Sequence, residues 1–114
     1  MAVEKPRQPA DPSYALLREG RFEEFNRKRQ SGEKTDLRGS DLRGIDLRPF
    51  DLTNLDLSDC YLRQADLRGK DLRDCRLLGA SLHAARVSGA YFPKELSAAE
   101  IDMSVKLGTR MRYA

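Results

Sequence analysis

Leucine stands at every fifth position from Leu37 to Leu82, and Val87 and Phe92 carry the step two places further. Neither regular secondary structure keeps that period on one face. At about 100° per residue, each five-residue step along a helix leaves roughly 140° of drift, so successive leucines would scatter around the cylinder. In a strand, positions i and i+5 point to opposite faces. A chain that bends through about a quarter circle at each step, always in the same sense, points every leucine at a common axis, and four steps close one coil. The twelve centres Leu37, Leu42, Leu47, Leu52, Leu57, Leu62, Leu67, Leu72, Leu77, Leu82, Val87 and Phe92 then form three coils around one core.

The other positions of the step sort the same way. Two residues before the centre stand Ile45, Phe50, Leu55, Cys60, Ala65, Cys75, Ala80, Ala85 and Ala90, mostly small or apolar and expected to face inward. The residue before the centre is Asp at 36, 41, 46, 51, 56, 66 and 71, and the residue after it is often Arg, so both belong on the wet side. Gly39, Gly44, Pro49, Asn54, Asp59, Gly69, Asp74, Gly79 and Gly89 fall at the corners, and these are the residue types of tight turns. Lys70 breaks the inward pattern, stacked by the twenty-residue coil between Phe50 and Ala90. A buried, unpaired ammonium is costly, so this corner is expected to bulge and let the amine reach water.

The flanks follow other patterns. Residues 1–12 hold three prolines and mixed charge and read as a disordered arm. From Ser13, taken as an N-cap, Leu16, Leu17, Phe22 and Phe25 lie among charges, interrupted at Gly20 and closed at Gly32. Residues 13–34 are therefore expected to form a helical N-terminal cap of two short pieces, with Phe22 and Phe25 on one face and Arg27-Lys28-Arg29 on its wet side. After the repeat block of residues 35–94, Ser97 and Glu100 have the spacing of a capping box and Leu96 and Ile101 that of a hydrophobic staple. A helix is expected within 95–108, from Ala98 to Leu107 and stopped by Gly108, with residues 109–114 as a tail. A coil about three rungs tall has open edges, and covering them is a job for the flanks.

The tandem Asp-Leu steps and their inward small residues resemble the pentapeptide-repeat family, over 60 of the 114 residues in unbroken register. The resemblance implies an all-β solenoid, a right-handed quadrilateral β-helix of about three coils with short helical caps. The layout is similar to that of small bacterial members with a helical N-terminal cap and a C-terminal helix. Phe50, Leu55, Ile45 and Lys70 depart from the family's small inward residue. Some members mimic DNA and shield type II topoisomerases with a long, strongly acidic rod that dimerises. Here the block carries nine Asp against eight Arg and two Lys, and three coils are short. A leucine-rich repeat is excluded, because no L-x-x-L-x-L spacing recurs at a period of about 20–29 residues.

Mean hydropathy is low at −0.66, which would suit a disordered chain, but disorder has no reason to hold leucine in register. A net charge of +3 with both signs abundant does not demand nucleic acid or a membrane. No apolar run approaches a membrane span and the first residues lack the apolar stretch of a signal peptide, so the cytoplasm is expected. Cys60 and Cys75 read as buried thiols, not as a disulfide framework or metal ligands. His83 stands in the outward column Arg43, Arg63, His83 without a nucleophile to serve. Neither an enzyme nor a cofactor is expected.

The remaining chemistry is a charged surface. The twenty-residue coil stacks Asp46 under Asp66, Asp51 under Asp71, Arg43 under Arg63 and Arg48 under Arg68, with the columns of opposite sign two residues apart. The expected function is a non-catalytic scaffold for a macromolecular, foremost protein–protein, interaction, with Arg43, Arg48, Arg63, Arg68, Arg110 and Arg112 as the candidate surface. A topoisomerase-protecting DNA mimic, or a weak nucleic-acid binder using the arginine columns, is the alternative. Exposed Tyr61 or Tyr91 could also pair two chains, so monomer and homodimer both fit the sequence.

Overall fold

A computed structural model describes residues 7, 9 and 11–114, and in it the five-residue step appears as a turn every five residues through the repeat block. The centres from Leu37 to Leu82 are all at most 2% exposed. Turns close with bonds such as Ser40 N–H to Leu37 C=O at 3.1 Å and Ala65 N–H to Leu62 C=O at 3.0 Å. Parallel bridges join Asp41 to Tyr61, Tyr61 to Ser81, Asp46 to Asp66, Asp66 to Arg86, Asp56 to Arg76 and Asp71 to Tyr91. Each spans twenty residues, so the chain returns above itself after four turns.

Among the described residues the contacts between coils are isolated bridges, and they do not lengthen into the strands of a β-sheet. The expectation of an all-β solenoid needs correcting in that respect. A bend every five residues leaves too little extended chain on each side for more than one bridge.

The core fills as expected except at the last steps. Val87 and Phe92 are only partly buried, because the helix and tail that follow the block lie over residues 77–84. Of the large inward residues, Ile45 and Phe50 sit in the first coil and Leu55 opens the second, and the N-terminal helices add Leu16, Leu17 and Phe25 to the same buried cluster. Phe25 and Phe22 meet the Phe50 ring edge-on at 5.3 and 6.4 Å, although Phe22 itself stays 40% exposed. The oversized Phe50 is thus the anchor for a helix.

Lys70 explains its own place. Its backbone keeps the regular turn, N–H to Leu67 C=O at 3.1 Å, so the corner does not bulge there. Instead Asp51 forms no bridge twenty residues on, and the Lys70 ammonium donates to the carbonyls of Phe50 and Arg48. Burial pulls its pKa down, partly offset by Asp51.

Helix α1 spans Pro12–Arg18 and α2 Phe22–Gln30. The cap of α1 is Asp11, not Ser13: the Asp11 carboxylate accepts from Ser13 N–H at 2.8 Å, and Pro12 suits the first turn because its missing N–H would find no partner there. The reading of residues 1–12 as a disordered arm fails at Arg7, which bridges Ser40 and bonds Gly39 and Asp41 at 2.8 Å each; residues 1–6, 8 and 10 lie outside the described residues. The helices then close the lower edge of the first coil. Tyr14 Oη donates to Asp41 C=O at 2.8 Å, Arg18 to Arg43 C=O at 3.0 Å, and Arg29 to Thr53 C=O. The Asn26 side chain donates to Pro49 C=O at 2.9 Å and accepts from Asp51 N–H at 2.7 Å, doing with one amide what a neighbouring backbone would do.

Helix α3 spans Ala98–Leu107, capped by Ser97 and ended by Gly108 in the left-handed region at φ 75°. The capping box is only half made. Ser97 Oγ accepts from Glu100 N–H at 3.1 Å, but the Glu100 carboxylate turns to Arg112, accepting from its N–H at 2.8 Å and its guanidinium at 3.3 Å. Residues 109–114 are not a loose tail. Met111 is fully buried, donates to Ala80 C=O at 2.9 Å and accepts from Gly79 N–H at 2.8 Å. With Leu77 N–H on Tyr113 Oη, Leu82 N–H on Ser104 Oγ and Ala84 N–H on Val105 C=O, all at 2.9 Å, the tail and α3 close the upper edge over residues 77–84.

Candidate interaction surface

Each Asp-Leu-Arg step builds its own ion pair. Between Asp and Leu the chain is extended and after Leu it turns, so the arginine two residues on comes back over the aspartate. The carboxylate accepts both the arginine's backbone N–H and two guanidinium nitrogens. The guanidinium distances are 2.8 and 2.8 Å for Asp41–Arg43, 2.9 and 2.9 Å for Asp46–Arg48 and 2.9 and 2.7 Å for Asp66–Arg68. Asp71–Arg73 and Asp36–Arg38 repeat the fork. Hydrogen bonding from the arginine holds these carboxyls below their ordinary range, Asp66 and Asp71 down to about 2. Such exposed pairs add little stability. Their effect is to cancel charge column by column, and Arg48 also reaches Asp66 at 3.3 Å across two coils.

One side departs from this rule. Going up the coil, the acid position reads Asp41, Tyr61, Ser81 and the base position Arg43, Arg63, His83. The acid is lost after the first coil and the base is kept. Among the described residues no carboxylate pairs with Arg63, which is exposed. The bonds Gly44 N–H to Arg63 C=O, 2.8 Å, and Gln64 N–H to His83 C=O, 2.9 Å, fix the three bases one above another. Together with Tyr61, Ser81, Leu107 and Gly108 they line a groove of about 350 Å³. Gly108 lies close against His83: a Cβ there would stand 3.2 Å from the His83 Cβ. Arg110 borders the same groove, donating to Tyr61 Oη at 2.8 Å with its guanidinium 5.6 Å over the ring and 3.6 Å from Asp59.

The family model of pentapeptide repeats matches residues 33–69 and 56–92, with eight copies. The chain belongs to the pentapeptide-repeat family. No curated protein and no solved structure matches it.

In this pentapeptide-repeat protein the six arginines singled out from sequence do not form one surface. Arg43 and Arg63 line the groove, and Arg110 is bonded to its Tyr61. Arg48 and Arg68 stand on another side, held by Asp46 and Asp66. Arg112 serves Glu100 beside α3. Tyr91, 60% exposed, lies under the Arg73 guanidinium at 5.2 Å. Ser81 and Leu107 were missed as groove residues; the replacement of Asp by Tyr and Ser in one column was the available signal for Ser81, but only the path of α3 brings Leu107 there. The thiols point inward, Cys60 Sγ donating to Leu37 C=O and Cys75 Sγ to Leu52 C=O at 3.0 Å each, and burial pushes Cys60 up to about 12. A thiol so held is a poor nucleophile.

Proposed function

We propose that this protein is a non-catalytic scaffold that binds another protein through the side of its coil carrying Arg43 and Arg63. The coil is read as the family's right-handed quadrilateral β-helix, supported by four turns per twenty-residue return. The observation that carries the functional reading is the broken cancellation of charge in the Asp41, Tyr61, Ser81 column, next to a coil whose edges its own flanks occupy. A rigid face with a few uncompensated donors suits recognition. Nucleic acid is the weaker reading: a phosphate backbone would meet Asp46, Asp66 and Asp59 on either side of the groove, and most arginines are already spent on carboxylates. The long acidic rod of a DNA mimic is likewise absent from a nearly neutral block of three coils.

The test is affinity capture from the native cell extract with the wild-type protein and with Arg43 and Arg63 both changed to Glu. One dominant partner, retained by wild type and lost by the double variant but kept by Arg48→Glu, is the expected result. A partner that ignores both reversals, or none at all, rejects the reading. Binding of an oligonucleotide that weakens steeply with salt would favour the alternative.

A further inference from the structure

We propose that the groove between Arg63, Ser81 and His83 of the coil and Leu107 of α3 receives a phosphorylated side chain of the partner protein. The inference rests on the protein-binding reading above and narrows it to one chemistry. The floor of the groove offers a guanidinium with no carboxylate partner among the described residues and, on the next coil, a hydroxyl and an imidazole, with Arg43 below and Arg110 bonded to Tyr61 at the border. Adjacent coils lie about 4.8 Å apart, so donors on two coils can converge on one oxyanion. A phosphoryl group brings a charge of about −1.5 to −2 and three strong acceptors, and arginine is the side chain that pairs with it best. A carboxylate would bring half that charge to the same donors.

The surroundings select for a single dianion on a protein. Arg43 is already matched by Asp41, and Asp59 stands 3.6 Å from Arg110, so the acids near the groove tolerate one compact anion but oppose a run of them. That disfavours a nucleic-acid backbone. One wall is apolar: Leu107 is 72% exposed. A bare apolar side chain beside a basic floor fits a phosphorylated residue with an apolar neighbour in the same peptide, which a free phosphate does not supply. The volume of about 350 Å³ is at the small end of ligand sites and takes one side chain, not a folded domain.

The proposal is tested with a degenerate library of nine-residue peptides centred on phosphoserine, its unphosphorylated twin, inorganic phosphate and a single-stranded oligonucleotide, each titrated by calorimetry against wild type, Arg63→Gln, Leu107→Ser and Arg48→Gln. The phosphorylated library is expected to bind at least about tenfold tighter than its twin and than phosphate alone. Arg63→Gln should cost about tenfold or more, Leu107→Ser several-fold with the preference for apolar neighbours relaxed, and Arg48→Gln less than about twofold. Because Arg63 and Leu107 are exposed, their variants should fold, which circular dichroism checks. Equal affinity for phosphorylated and unphosphorylated peptides overturns the phosphoryl inference; if that common binding is lost in Arg63→Gln, the protein-binding reading survives it. Phosphate bound as tightly as the peptides overturns the protein source. Equal loss in Arg48→Gln and Arg63→Gln overturns the site. No peptide binding, together with no captured partner, overturns both readings.

Discussion

The two ends of the coil are one backbone seen from opposite sides, and they need opposite partners. Tyr61 points both its N–H and its C=O down to the coil below, and Arg63 points its C=O the same way; Leu62 and Gln64 point their N–H groups up. A repeated step with this geometry shows two carbonyls for each N–H on the lower edge and two N–H groups for each carbonyl on the upper. The caps follow that polarity. Below, the partners are donors: the side chains of Arg7, Tyr14, Arg18, Asn26 and Arg29 on five carbonyls. Above, they are acceptors: Tyr113 Oη, Met111 C=O, Ser104 Oγ and Val105 C=O. Cap composition is therefore set by the direction of the chain, since backbone polar groups taken out of water have to be paired.

The comparison is broken most severely at Met111, which fills the upper end with an apolar side chain and two backbone bonds. Met111→Ala should cost about 2–5 kcal/mol in urea unfolding; a loss below about 1 kcal/mol would mean that the tail is not a cap. The next effect sharpens the contrast between ends. Ser104→Ala leaves Leu82 N–H without its acceptor at a fully buried place, and Asn26→Ala leaves Asp51 N–H and Pro49 C=O at a half-buried one. Each should cost about 1–3 kcal/mol, with Ser104 the larger because water reaches Asn26 more easily. Amide exchange should speed up at Leu82 in the first variant and at Asp51 in the second, and acceleration at both ends in either one would contradict separate closure.

Smaller effects probe what the ends share. Ala84 sits at φ 57°, in the left-handed region where most other corners place glycine, and its N–H is held by Val105. Ala84→Gly should raise stability by about 0.5–1 kcal/mol, visible as a higher melting temperature. Acid titration should favour neither end. Because the folded-state pKa values of Asp66 and Asp71 are lowered from 3.8 to about 2, their contribution is present above the unfolded value and is lost as pH falls from about 4 towards 2. Stability in that window should fall, modestly because the pairs are exposed, and a flat profile would show the forks to be without effect on folding.

Much of the coil was legible because a single period fixes it: once Leu37 and Leu42 share an axis, the corners, the inward small residues and the Asp-Arg rows follow. Helix α3 was legible for a similar reason, since Ser97 and Gly108 mark its limits with local chemistry. What escaped were long-range choices. Glu100 has the spacing of a capping box, yet Arg112 outcompetes the Ser97 N–H for its carboxylate. Nothing local tells Met111 that it will lie on Gly79 and Ala80, or Arg7 that it will lie under Ser40. Val87 and Phe92 look like any other centre, and only the position of the tail leaves them partly open. The groove was half visible, through Arg43, Arg63 and His83, and its apolar wall was not.

The unequal edges bear on the size of the molecule as well as on its stability. A lower edge rich in carbonyls is complementary to an upper edge rich in N–H groups, so a bare coil would accept a second copy end on, and that copy a third, by a translation that never closes. Asn26 and the Met111 segment occupy these positions from within the same chain. Filled in this way, the coil offers a further copy no bare carbonyl at Pro49 and no bare N–H at Gly79 from which to extend.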